Sequence, residues 1–130
     1  WSAEFTQSHT AEMSNLRHHI AFEKGDFIGR AAALAERERG PRQVLVTLAI
    51  DALDADAAGY EPVKHGGRLV GHVTSGAYGH HVRQSLALAY VDREVAESRP
   101  EITVSVVGEP RPATILMEPA YDPQGTRLRG

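Results

Sequence analysis

Cysteine is absent from the 130-residue chain, so these residues can build no disulfide framework, thiolate nucleophile or cysteine-based zinc site. Aromatic residues are also scarce, at 6% beside 42% hydrophobic and 24% charged, a balance that describes an ordinary globular protein rather than a disordered or fibrous one. No charge of one sign dominates. A net charge of -3 and a pI near 6.2 provide no clustered basic surface, so neither nucleic acid nor an anionic membrane is an expected partner. Long hydrophobic runs are missing too. The longest, Val44 to Ile50 with one threonine, is far too short to span a bilayer, and no basic-then-apolar leader opens the chain. A cytoplasmic setting is the expectation. The sequence also lacks a Gly-x-Ser-x-Gly elbow, a glycine-rich phosphate loop, a dinucleotide fingerprint, internal repeats and low-complexity tracts.

What remains is enough for one real core, since a chain of this size can bury roughly two-thirds of its unfolded surface. Trp1 to Phe22 is polar and without clean periodicity, which predicts mostly loop. Gly29 to Arg39 (GRAAALAERER) is rich in strong helix formers and is expected to be a short helix, capped by Asp26 and ended by Gly40-Pro41. After Pro41 the pattern changes to strands. RQVLVTLAI, the pair Glu61–Lys64 and Arg68–Thr74 around HGG, LALAYV, and the pair ITVSVV and RPATILM around GEP read as six strands. Asp51 to Tyr60 and SGAYGHHVRQ read as loops. Six short strands at such spacing predict a mainly β fold with a short α segment, closed into a small antiparallel barrel.

Four segments in fixed order carry a family resemblance: KGDFIGRAAAL, GYEPV followed by GGRLVGHVTSGAYG, SLALAYV and YDPQGTRLR. The first three resemble the C-terminal half of the glycine cleavage T-protein (aminomethyltransferase) family. The wording of the second and fourth is most similar to the folate module fused behind FAD-dependent dimethylglycine and sarcosine dehydrogenases. The resemblance implies that residues 41–130 form the C-terminal β-barrel and that residues 1–40 are the edge of a preceding folate-binding lobe. It implies tetrahydrofolate as cofactor of the parent module and FAD in an upstream domain, which oxidises an N-methyl amine to an iminium whose methylene the folate captures. No cofactor is expected on these residues alone.

Under the same resemblance the catalytic aspartate lies upstream of the position matched by Trp1, so no catalytic residue is assigned. A chain starting at Trp1 without methionine is expected to belong to a longer protein, with the upstream domains as its partners. Copies of a truncated chain are expected to associate through apolar surface those domains would cover. Where the family reads TPxEAGL this chain reads TAEMSNL, with Met13 in place of a glutamate. A thioether cannot replace a carboxylate as a hydrogen-bond acceptor.

Five residues are expected to border the folate. Trp1 offers an indole to stack on a flat ring, the alternative being simple burial. Thr74 and Ser75 offer hydroxyls in a glycine-flanked stretch that equally suits a tight barrel turn. Tyr121 and Arg127 belong to the terminal segment, where a guanidinium fork suits a carboxylate although terminal arginines are commonly solvated. The pairs His18-His19 and His80-His81 lack the spacing of a metal site, and Asp51, Asp54 and Asp56 lack the order of a calcium loop, so no metal is expected.

Overall fold

The branched and apolar residues after Pro41 form six strands: β1 Gln43–Ile50, β2 Pro62–His65, β3 Arg68–Gly79, β4 Gln84–Asp92, β5 Ile102–Val106 and β6 Glu109–Leu116. In the computed structural model, which describes residues 3–130, they close into a barrel in the order β1-β4-β3-β2-β5-β6. Every neighbouring pair is antiparallel. Closure gives every strand a ladder partner on both sides, as the strand spacing predicts.

Registers fix which side chains point inward. Leu48 sits opposite Ala87 on one side and Ile115 on the other, and Ile50 opposite Ala113. Residues opposite each other share a face. With Val63, Val73, Val91, Ile102, Val104 and Val106 they make the core, nearly all of it aliphatic. Small residues on β4, Ala87 and Ala89, leave the room that the larger side chains of β1 fill, as a narrow barrel requires.

The ends are closed by different means. The stretch between β1 and β2 runs across one end with Ala52 and Ala57 buried in the core. It is pinned by the Glu61 carboxylate, which accepts the N–H groups of Ala58 and Gly59 at 2.8 Å each, and by Asp56, which accepts the Ser85 hydroxyl at 2.6 Å. Helix α2, Arg93–Ser98, follows β4 and places Val95 in the core.

Ahead of the barrel, helix α1 spans Arg30–Arg39. Its N-cap is Gly29 at φ 88°, and Asp26 does not cap it: the Asp26 carboxylate accepts the N–H of Phe27 instead. The helix ends at Gly40, whose φ of 76° suits glycine and whose missing Cβ makes room for the Arg93 guanidinium. That guanidinium donates to the Arg39 carbonyl at 2.9 Å.

Three further sequence expectations need correction. SGAYGHHVRQ is largely strand, because β3 runs on to Gly79 and β4 begins at Gln84. A register shift between Val73 and Ser75 breaks the alternation there, and Gly76 lies against the Ala57 carbonyl rather than in a turn. The β5–β6 turn is Val107-Gly108 rather than GEP, so β6 opens at Glu109 with two prolines in it. Helix α2 and a terminal helix α3, Thr126–Arg129, add to the single helix expected. Among the described residues no helix is long and apolar enough to cross a membrane.

Candidate functional site

Tyr90 occupies an unusual place on the barrel. Its neighbours Ala89 and Val91 face the core, so alternation turns Tyr90 outward, yet none of it is exposed. The polar N-terminal segment covers it. The Tyr90 hydroxyl donates to the Glu4 carbonyl at 2.8 Å and takes the Ser14 hydroxyl at 2.7 Å, while the His9 ring stacks on its ring at 4.0 Å between centroids. Burial raises the phenol pKa, the Ser14 bond opposes that, and the nearby Glu4 carboxylate adds to it.

A second anchor lies one row along. Register puts Ser75 of β3 beside Leu88 of β4 on the same outer face as Tyr90. The Ser75 hydroxyl donates to the Glu4 carboxylate at 2.6 Å. That short bond is the main reason the Glu4 carboxyl falls from 4.5 to about 2, against a burial that pushes it upward. Thr74 helps to a lesser degree, its hydroxyl shared with the Leu88 carbonyl at 3.1 Å. Two bonds to Leu45 complete the joint: its N–H donates to the Met13 carbonyl and its carbonyl accepts the Asn15 side-chain Nδ2, both at 2.8 Å. Thr10 donates to the buried Glu36 of α1 at 3.0 Å.

The sign of the Glu4 effect gives a testable pH dependence. A carboxyl held lower in the folded state than in the unfolded chain stabilises fully above about pH 4.5, and that contribution disappears as pH falls toward about 2. Glu4→Gln is therefore expected to be less stable than the parent sequence at pH 6, with the gap closing on acidification. Urea midpoints measured from pH 6 down to 2.5 check this, and a gap independent of pH would contradict it.

The expected site residues fall into separate groups. Trp1 lies outside the described residues. Thr74 is buried and Ser75 half-buried, with both hydroxyls bonded within the protein. Tyr121 and Arg127 form another group with the β3–β4 turn: the Arg127 guanidinium lies 5.6 Å from the Tyr121 ring and 3.3 Å from its hydroxyl, and His81 meets that ring edge-on at 4.5 Å. Asp122 steadies this tail by accepting the N–H groups of Thr126 and Arg127 at 2.9 and 3.0 Å. Desolvation pushes its carboxyl up, but the Thr126 hydroxyl and the N–H groups of Thr126, Arg127 and Leu128 hold it below the usual range. Tyr121 is about half exposed, so it can meet a ligand without rearrangement.

Sequence reasoning missed Glu4, Ser14 and Tyr90. LALAYV reads correctly as a buried strand, but nothing local reveals that its outward tyrosine is buried by a segment 76 to 86 residues away. Glu12 went unnoticed as well; it is 7% exposed, and its Oε1 has no hydrogen-bond partner among the described residues. A cavity of about 990 Å³ at the barrel end, bordered by Ile50, Lys64, Tyr78, Arg83 and Ile102, includes none of Thr74, Ser75, Tyr121 and Arg127. Among the described residues no cluster of histidine and carboxylate side chains could hold a metal ion.

Fold and site together define a closed antiparallel barrel with an N-terminal segment clamped to its outer wall. Residues 43–122 match the family of the glycine cleavage T-protein C-terminal barrel domain, and the chain belongs to that family. It is 33% identical over 130 residues to the mitochondrial dimethylglycine dehydrogenase of Rattus norvegicus, covering 99% of this chain and 15% of that protein. It is 36% identical over 121 residues to the aminomethyltransferase of Saccharopolyspora erythraea, covering 92% of this chain and 32% of the relative. The aminomethyltransferase T of the glycine cleavage system from Bartonella henselae has the same fold, with a TM-score of 0.83 at 22% identity over 93% of this chain and 34% of that one. The chain thus spans about 15% of the length of the dehydrogenase it matches.

Proposed function

We propose that this chain is the C-terminal scaffold of a tetrahydrofolate-dependent one-carbon transfer module in an FAD-dependent N-methyl amine oxidoreductase of the dimethylglycine or sarcosine type. The observation that carries this reading is the reach of the likeness to rat dimethylglycine dehydrogenase. It runs through nearly all of this chain, including the N-terminal segment and α1 that precede the family's barrel match. On this reading residues 1–40 are the edge of a folate-binding lobe and residues 41–130 the barrel that supports it. The upstream domains of the same parent chain are the partners, and the setting is cytoplasmic, although the rat relative is named as mitochondrial.

The residues present fit tetrahydrofolate as a border and no more. Thr74 and Ser75 already spend their hydroxyl protons on Leu88 and Glu4, so their part is to hold the wall in shape. The exposed Tyr121 and Arg127 remain placed to meet an aromatic ring or a carboxylate of the carrier, and Trp1 is assigned to the same border. When bound, tetrahydrofolate supplies the nitrogen that accepts the one-carbon unit. Nothing here fits FAD, which needs a glycine-rich dinucleotide fingerprint that these residues lack. The chain alone is expected to be catalytically silent.

The test is to purify the full-length parent and supply dimethylglycine or sarcosine with tetrahydrofolate. Bound flavin together with formaldehyde or 5,10-methylenetetrahydrofolate supports the reading; neither flavin nor product sinks it. The match to aminomethyltransferases favours a second reading, a stand-alone one-carbon transferase or demethylase of the T-protein family. A dinucleotide fingerprint upstream of Trp1 would decide against it. A third, a non-catalytic homologue that has lost folate, is motivated by Met13 and would fall to tight tetrahydrofolate binding by the parent.

A further inference from the structure

The proposed function requires the N-terminal segment to keep a defined shape beside the ligand, yet its sequence is polar and irregular. Such a segment loses conformational entropy on ordering and buries little apolar surface in return. Its order therefore depends on a few strong anchors.

Three of those anchors meet on one side chain. The Tyr90 hydroxyl holds the start of the segment through the Glu4 carbonyl and its end through Ser14. The Tyr90 ring holds the middle by stacking on His9. The tip between these points is itself a turn: His9 N–H donates to the Thr6 carbonyl at 3.1 Å, Ser8 N–H to the Thr6 hydroxyl at 3.2 Å, and the His9 ring nitrogen lies 3.3 Å from that hydroxyl. Phe5, Thr6, Gln7 and Ser8 face outward from the clamped loop. This is the build of a compact surface loop whose ends are tied together and whose tip is presented.

We infer that Tyr90 is a positioning residue, folding residues 4–14 into a loop on the barrel wall so that the tip at Phe5–Ser8 meets the one-carbon carrier in a fixed geometry. The inference rests on the function proposed above. Tyr90 does not touch the carrier and is not a catalytic residue. Its hydroxyl sets the loop, and the loop sets the border. A buried network of this kind is fully bonded or costly, so removal of the one oxygen leaves the Ser14 hydroxyl and the Glu4 carbonyl without their shared partner.

The experiment compares Tyr90→Phe with Val104→Ala in the full-length parent. Phenylalanine keeps the ring and its stacking on His9 but removes the oxygen. Val104 lies in the core on β5, away from the loop, and its truncation destabilises without touching the clamp. Tyr90→Phe is expected to raise KM for tetrahydrofolate by about tenfold. Reduction of the flavin by the amine should stay unchanged, and Val104→Ala should lower Tm while leaving KM alone. Hydrogen exchange read over residues 5–14 should show lost protection in Tyr90→Phe with β4 still protected.

A parental KM in Tyr90→Phe, or equal KM changes in both variants, overturns the positioning role. Retained protection of the loop overturns the clamp itself. A parent that binds flavin but ignores tetrahydrofolate overturns the proposed function and the carrier part of this inference together. The exchange measurement decides the clamp in either case, so the two failures are told apart.

Discussion

Replacing Gly71 with alanine is expected to cost the barrel about 3 kcal/mol or more, a large share of the roughly 5–15 kcal/mol that covers a native domain's stability. The reason is a close crossing of two backbones. Gly71 of β3 is buried opposite Val91 of β4, and a Cβ there would lie 2.8 Å from the Val91 Cα and closer still to the Tyr90 carbonyl oxygen. Flexible side chains can swing away from such a clash, but a ladder backbone cannot move without breaking its pairing. Val91 is also bonded into β1 on its other side, through its register with Val44, so β4 is held between two strands. Equilibrium urea unfolding checks the prediction, and a midpoint equal to that of the parent sequence would refute it.

Leu48→Ala is expected to destabilise by about 3 kcal/mol. For a domain of this size that is a Tm lower by roughly 10 °C. Leu48 is fully buried and spans the space between Ala87 and Ile115 on the neighbouring strands. Cutting its isobutyl side chain back to a methyl leaves a void that a closed barrel cannot collapse into, because strand hydrogen bonds hold the walls apart. Differential scanning calorimetry reads the shift. A loss under about 1 kcal/mol would mean that the interior repacks more freely than a ladder-bound wall allows.

These sites also show how far local sequence reaches. The strands were legible where branched residues alternate, as in Gln43–Ile50 and Ile102–Val106, and the HGG hairpin was legible from its glycines. Gly76 and Gly79 misled because glycine in a strand and glycine in a turn look alike in sequence. Gly76 is needed because the Ala57 carbonyl presses against it, a contact made by a distant loop. Helix α2 was missed because its six residues are too few to display a helical period. Strand spacing and the family resemblance both pointed to the barrel, and of the expected border residues Thr74 and Ser75 turn out to be bonded to Leu88 and Glu4. Glu4, Ser14 and Tyr90 stayed hidden for a different reason: each looks ordinary in its own stretch, and only the fold brings them together.

That long reach between Glu4 and Tyr90 has a consequence for the order of events during synthesis. The two residues are separated by 86 positions, so the first part of the segment to leave the ribosome waits for one of the later strands. The β3–β4 hairpin can pair as soon as it is made, since its partners are neighbours in the chain. The N-terminal segment can close over the wall only once β4 is in place, and until then the outer face of β4 shows a bare tyrosine.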